Sequence, residues 1–326
     1  MLWDFDITRT LGLMVRTWPF IVTRIIVYFA ITLAYMLAVG GGSGVGYGIG
    51  NIFGDADAPT SFALWGGVVG FGVVSGIVYW IREWILYMVK AAHIAVLVHL
   101  VEGRDIPGGR SQIDYGQSIV RERFAEANVL FALDQLVKGA LRAITGLIGG
   151  IAMILPIPGL DALARFINAV ITMSLTFVDE IVLGLIVRTN AENPFETAKN
   201  GVILYGQNAR LMVKNAIWLT LIIWVLSIAV YIVMLAPAGA LVWLYPGQSG
   251  GFAFLAAFLF AWAVKAALIE PFAIAALMSV YFKAIEGQTP DPVWNQRLSD
   301  ASKQFRELGA KAVSWARGGV RAGVPL

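Results

Sequence analysis

The chain has 326 residues, of which 58% are hydrophobic and 14% charged, against roughly 45–50% and 25% for an ordinary soluble domain. That composition excludes a soluble globule, and a net charge of +3 leaves too small a basic excess for nucleic-acid binding as the main activity. Cysteine is absent, which removes disulfides, thiolate nucleophiles, iron–sulfur clusters and cysteine zinc sites.

The chain begins with a short segment carrying Asp4 and Asp6 where a cleavable signal would carry basic residues, so the first helix is expected to be retained. No charge falls between Arg24 and Asp55, and Ile25 to Gly42 is read as the first membrane span. Ala58 to Ile81 is the second, ending in Tyr79, Trp80, Arg82 and Trp84, an aromatic and basic interfacial signature. Beyond it the apolar pattern continues to Val101 with Lys90, His93 and His99 inserted, which predicts an amphipathic cytoplasmic extension. The middle of the chain predicts an embedded hairpin, Val129 to Leu155 and Phe166 to Val187, turned at Pro156-Ile157-Pro158-Gly159. Within it Asp134, Lys138 and Arg142 form a charged stripe opposite Leu133, Leu136, Val137 and Leu141, as on a helix lying in the interface or lining an aqueous cavity. The last two spans run from Ala216 to Tyr245 and from Gly251, past Lys265 and Glu270, to Phe282. The basic tail, with Phe305, Leu308, Val313 and Trp315 interleaved, suits either a helix on the membrane surface drawn to anionic lipid or a solvated tail.

The expected class is therefore an all-α polytopic membrane protein with about six membrane-embedded helices in three hairpins and cytoplasmic amphipathic helices. Its segments are 1–103 (N-terminal amphipathic segment and first hairpin), 104–190 (cytoplasmic elbow and central hairpin), 191–287 (second elbow and last hairpin) and 288–326 (basic tail). Lys and Arg cluster before the first span, after the second and in the tail, while 40–61 and 237–251 hold neither. This places both termini in the cytoplasm of a cell inner (plasma) membrane. An internal repeat is suggested by Pro107 with Tyr115-Gly116-Gln117, matched by Pro194 with Tyr205-Gly206-Gln207, and by Glu102-Gly103 matched by Glu286-Gly287.

Gly42, Gly46 and Gly50 recur every fourth residue, as do Gly66 and Gly70, the small-residue spacing that lets helices approach closely in lipid. The same pattern leaves room for a homo-oligomer. Lys265 falls well inside the last span and is the first candidate for a charge in the hydrocarbon layer, binding an anion or gating; the alternative is a structural ion pair with another helix or a snorkelling lysine. Glu270 precedes Pro271; five residues on an α-helix separate it from Lys265 by about 140°, so the two share a face only if Pro271 distorts the turn. Asp179 and Glu180 are candidates to complete a polar pathway. Two histidines six residues apart give no metal site, and no motif supplies a nucleophile–base pair or a cofactor cradle. Neither an enzyme nor a bound cofactor is expected.

Tyr205-Gly206-Gln207-Asn208 through Lys214-Asn215-Ala216 resembles the Tyr-Gly-x-Asn…Lys/Arg-Asn-Ala segment leading into a late membrane helix of the choline transporter-like family. Ser279 to Gly287 with Pro290 sits where that family has its last helix and a proline-containing tail. The resemblance covers the last third of the chain and departs from the family in lacking its large cysteine-rich extracellular loop. It implies a solute-translocating fold with substrate contacts in the helix core, and it does not carry choline over as the substrate. The functional expectation is a transporter or channel for a small solute or ion; the alternative is a membrane scaffold or lipid-organising oligomer that recruits partners through its cytoplasmic helices.

Overall fold

The computed structural model describes residues 2–124, 127–152, 177–244 and 250–322. The predicted hairpin turn at Pro156-Ile157-Pro158-Gly159 lies outside these residues, as do 245–249 and the side chains of 78–87. In chain order the helices are α1 (Ile7–Arg16), α2 (Trp18–Phe53), α3 (Ala58–Val101), α4 (Gln112–Phe124), α5 (Ala127–Ala152), α6 (Val178–Arg188), α7 (Pro194–Gln207), α8 (Ala209–Leu244) and α9 (Gly250–Val264). A π-helical turn (Lys265–Ile269), α10 (Glu270–Ala284), α11 (Pro292–Ala301) and α12 (Lys303–Ala322) complete them. Among the described residues the chain is all-helical, and four helices are long and apolar enough to cross a membrane, over Trp18–Phe53, Ala58–Ile77, Ala209–Ala240 and Ala257–Ala284, as in a membrane protein.

Contacts divide the chain into two compact units, one of Met1–Trp18, Ala91–Trp224 and Pro271–Leu326, the other of Pro19–Lys90 and Val225–Glu270. The second unit carries most of the exposed apolar surface. Leu33, Leu37, Val45, Leu64, Trp65, Val69, Val225, Ile228 and Ile232 all stand exposed there, a continuous apolar exterior that suits hydrocarbon as solvent and not water. Its interior is built from small residues. A Cβ on Gly42 would lie 2.2 Å from the Gly66 carbonyl oxygen, on Gly46 1.9 Å from that of Phe62, on Gly50 2.6 Å from Pro59 Cα, and on Gly70 2.1 Å from the Ala38 oxygen. Each step of four forward on α2 is answered by a step of four back on α3, so the two backbones touch along an antiparallel seam. Next to it, Tyr28 packs on Ala263, Ala266 and Ala267 and meets Trp262 edge-on at 5.5 Å.

The first unit has an ordinary protein core. Ala91 to Val98 are buried without a break, so the extension of the second span is helical, yet it is not the amphipathic helix the inserted polar residues predict. A helix apolar all round belongs inside a protein, and His93 is accommodated there by a 3.0 Å contact between its Nε2 and Thr17 Oγ1. The core also takes α6 on all sides from Val178 to Val187, together with most of α7 and α10. Tyr281 donates to the Gly201 carbonyl oxygen at 2.9 Å.

Two further expectations are corrected. On α5, Asp134 is buried along with Leu133, Leu136, Val137 and Leu141, because its carboxylate is neutralised by Lys138 one turn away and the helix needs no solvated face at that point. In the tail, Phe305 and Leu308 are wholly buried in the first unit, where α12 packs on α5 and α7. Those apolar side chains are therefore spent on protein and not on a membrane surface. Trp315 likewise turns inward, donating to the Glu192 carbonyl oxygen at 3.0 Å and meeting Phe195 at 5.6 Å.

Three helix ends share one device. Gly103 after α3, Asn190 after α6 and Gly287 after α10 have φ of 72°, 53° and 71°, the left-handed turn that terminates a helix. The chain then restarts with proline at the first turn of α7 and α11, capped by Asn193 and Asp291.

Candidate functional site

Proline at 271 has no N–H to give to the carbonyl four residues back, and the helix answers locally with an i→i+5 turn in which the Glu270 N–H reaches the Lys265 oxygen. In such a turn the fifth residue comes nearly above the first. Lys265 and Glu270, which an unbroken α-helix would set on different faces, are thereby brought to one side. Glu270 faces Lys90 of α3, with Nζ and Oε2 3.8 Å apart and both side chains about three-quarters buried. Lys265 has no carboxylate within ion-pair distance among the described residues. On α2, Arg24 is 1% exposed, one turn before Tyr28 on the face that also buries Phe20 and Thr32. The second unit thus carries Arg24, Lys90, Lys265 and Glu270 on its apolar helices, with Asp55 and Asp57 in the turn between α2 and α3.

Lys90 and Arg24 are not among the candidates that the sequence offers; the first reads as an interruption and the second as a charge flanking a span. Their signals are faint but present, since Phe20, Arg24, Tyr28 and Thr32 are spaced four apart.

Asp179 and Glu180 lie in the first unit, both buried at the start of α6. Lys138 of α5 stands 2.7 Å from Asp134 Oδ2 and 3.4 Å from Asp179 Oδ2. Burial alone would lower the Lys138 pKa, but the carboxylates of Asp179 and Asp134 outweigh it and hold the ammonium above its usual value. Burial, reinforced by Glu180 alongside, pushes the Asp179 carboxyl well above the ordinary carboxylate range.

The ends of α3, α6 and α10 meet at Arg188. Its Nε donates to Glu102 Oε1 at 2.7 Å and its Nη1 to the Phe282 carbonyl oxygen at 3.2 Å, and its guanidinium lies 4.7 Å from the Phe282 ring centre. Glu102 is also paired with Arg104. Nearby, His99 Nε2 and the Tyr115 hydroxyl are 2.5 Å apart; burial, then the positive charge of Arg104, lowers the His99 pKa.

The residues that resemble the choline transporter-like segment have visible structural tasks. Tyr205 is buried 6.3 Å from Tyr281, and a Cβ on Gly206 would lie 2.8 Å from the Trp294 ring. Gln207 donates to Gln288 Oε1 at 2.7 Å and accepts from the Asp291 N–H at 3.0 Å, tying the end of α7 to the turn before α11. Asn215 is buried, accepting from the Asp4 N–H at 2.7 Å and donating to its carboxylate at 2.8 Å. Lys214 closes the same carboxylate at 2.6 Å, and these hydrogen bonds lower the Asp4 pKa. The matching Tyr115 serves a different partner, His99.

An open groove of about 810 Å³ in the first unit is lined by Glu196, Lys199 and Asn200 of α7 and by Ala312, Val313 and Arg317 of α12. No group of three metal-ligating side chains occurs among the described residues. Comparison with protein-family models, curated proteins and solved structures gave no match.

Proposed function

We propose that the protein is a transporter or channel that carries a small anionic solute or ion across a cell inner membrane, with both termini cytoplasmic and Lys265 as the residue that meets the solute. The observation that carries this reading is Lys265 itself, a cation on an apolar membrane helix, at a π turn, with no carboxylate partner among the described residues. A charge in such a segment is costly and is kept where it serves a pathway, and π turns inside α-helices gather at functional sites. In the same unit Glu270 is engaged by Lys90 of α3, which leaves the Lys265 ammonium to the solute. The chain's resemblance to a family of solute carriers supports the same class.

The turn geometry after α3, α6 and α10 supports three related units, each an elbow helix followed by a hairpin, with the central hairpin as the middle member. A scaffold reading draws on another observation, the open groove between α7 and α12, which offers a cytoplasmic partner a ready surface. Flux decides between them. Sealed proteoliposomes loaded with a panel of inorganic and organic anions should show protein-dependent flux that falls at least tenfold in Lys265→Gln, with the variant still monodisperse. No flux for any anion or other solute in the wild type would turn the account to the scaffold.

A further inference from the structure

We infer that α1 is an interfacial helix, lying along the membrane surface with Leu11, Val15 and Trp18 set among lipid acyl chains while its other sides are held by protein. The inference rests on α2 and α8 crossing a membrane and is independent of what they carry. Large apolar side chains are hidden almost everywhere in the first unit. Those exposed among its described residues are Leu2, Leu11, Val15, Trp18, Val293 and Val313. Val293 and Val313 stand singly on α11 and α12, as scattered surface residues do. Leu11, Val15 and Trp18 instead follow one another at steps of four and three along one side, each between 52% and 72% exposed.

The remaining sides of α1 are spent on protein. Arg9 and Arg16 lie roughly 140–160° from Leu11 around an α-helix. Arg9 donates to the Val101 carbonyl oxygen at 2.6 Å and Arg16 to Asp105 at 2.7 Å, gripping the end of α3 and the chain just beyond it. Gln112 of α4 donates to the Arg16 carbonyl oxygen at 2.8 Å. Between the basic and apolar sides, Thr10 and Leu13 are buried. The charges of the helix are thus satisfied within the unit, and its apolar side is left uncovered.

Two tethers say what covers it. Trp18 is the first residue of α2, a helix long and apolar enough to cross a membrane. At the other end, the Asp4 N–H donates to Asn215 Oδ1 at 2.7 Å, the Asp4 carboxylate meets Lys214 at 2.6 Å, and the Trp3 ring lies 5.8 Å from that of Trp218. Lys214 is the last charged residue of α8, with none between it and Leu244, so Asp4 sits where this second span passes from polar to apolar. A helix of ten residues, about 15 Å long, therefore starts beside one span and runs directly into another. Tryptophans stand at both of its ends, the residue enriched at membrane–water interfaces. At that level the solvent around an apolar stripe is lipid, and a short helix with one apolar side lies in the interface plane.

The absence of native cysteine allows a direct test with single nitroxide labels on the full chain in phosphatidylcholine vesicles. Leu11→Cys and Val15→Cys report on α1, while Val45→Cys on α2 and Ser314→Cys on α12, both exposed, calibrate lipid and water. Collisions with oxygen, which concentrates in hydrocarbon, are compared with those of a water-soluble nickel chelate. Both α1 labels should favour oxygen, at a depth about 5–10 Å below the headgroup boundary. Neutral lipid suffices, because both arginines are already engaged by protein. Labels at Leu11 and Val15 that favour nickel, as at Ser314, would make the stripe a solvated one and overturn the inference. Protection from both reagents would show a second copy or another protein on the stripe and overturn it equally. A nickel-accessible Val45 would overturn the membrane reading itself, a failure recognised by that label alone.

Discussion

Adding a single methyl group to α2 should separate two classes of glycine by their opposite effects. In Gly46→Ala the new Cβ would stand 1.9 Å from the Phe62 carbonyl oxygen and 2.7 Å from its carbon. Both atoms belong to backbone and cannot rotate away, so α2 and α3 must part by roughly 1 Å, enough to forfeit a quarter to a half of each dispersion contact along the seam. The neighbouring approaches at Gly42, Gly50 and Gly70 open with it, and overpacking of this kind costs about 1–3 kcal/mol. Gly48, two residues on, has nothing within 4 Å of its Cβ position, and alanine there gains about 0.5–1 kcal/mol of helix propensity. The two variants should therefore differ by about 1.5–4 kcal/mol, several degrees in unfolding temperature for a chain of this size. Thermal unfolding in one detergent reads this directly. Equal melting of Gly46→Ala and Gly48→Ala would refute the close packing of α2 on α3.

Other perturbations probe the first unit. Arg188→Ala removes the charge shared by Glu102 and the Phe282 carbonyl oxygen and should destabilise by about 1–2 kcal/mol after discount for the partial exposure of the pair; an unchanged melt would mean that the three helix ends hold without it. Phe305→Ala and Leu308→Ala leave cavities in a closed core and should each cost about 2–5 kcal/mol, whereas Val313→Ala, at a residue 52% exposed, should cost little; equal effects in calorimetry would return the tail to the membrane surface. His99 favours its neutral form in the fold, so its contribution is complete above its ordinary pKa of 6.5 and is lost as pH falls through the lower folded value. His99→Gln should remove that part of the acid destabilisation, seen as a shallower fall of unfolding temperature below pH 6.5.

Composition and run length made the helical membrane class legible, since uncharged stretches of twenty residues admit few other structures. The glycine seam was legible for the same reason, because a four-residue spacing has a single geometric meaning on a helix. What the pattern could not separate was lipid from protein interior. Both accept apolar helix surface, so 91–98, with His93 inserted, reads like an amphipathic extension at the membrane face and the apolar residues of α12 like a membrane-facing stripe, while each is spent on core. Lys265 and Glu270 stood out as charges, but their common side depends on a π turn that no α-helical periodicity shows; Pro271 was its one visible cause. Lys90 stayed hidden because an ion pair with Glu270 is a long-range fact. Asp134 was misread because a charged i, i+4 pair looks alike whether water or a second helix covers it.

The central claim is that Lys265 lends its charge to a passing anion, and the absence of native cysteine makes a direct test available. In proteoliposomes, Lys265→Cys should lose the anion flux of the wild type, and attaching an aminoethyl group to the thiol, which restores a cation of similar length, should recover it, while a sulfonatoethyl group should not. Flux in Lys265→Cys equal to that of the wild type, unaffected by either reagent despite confirmed labelling, would contradict the account.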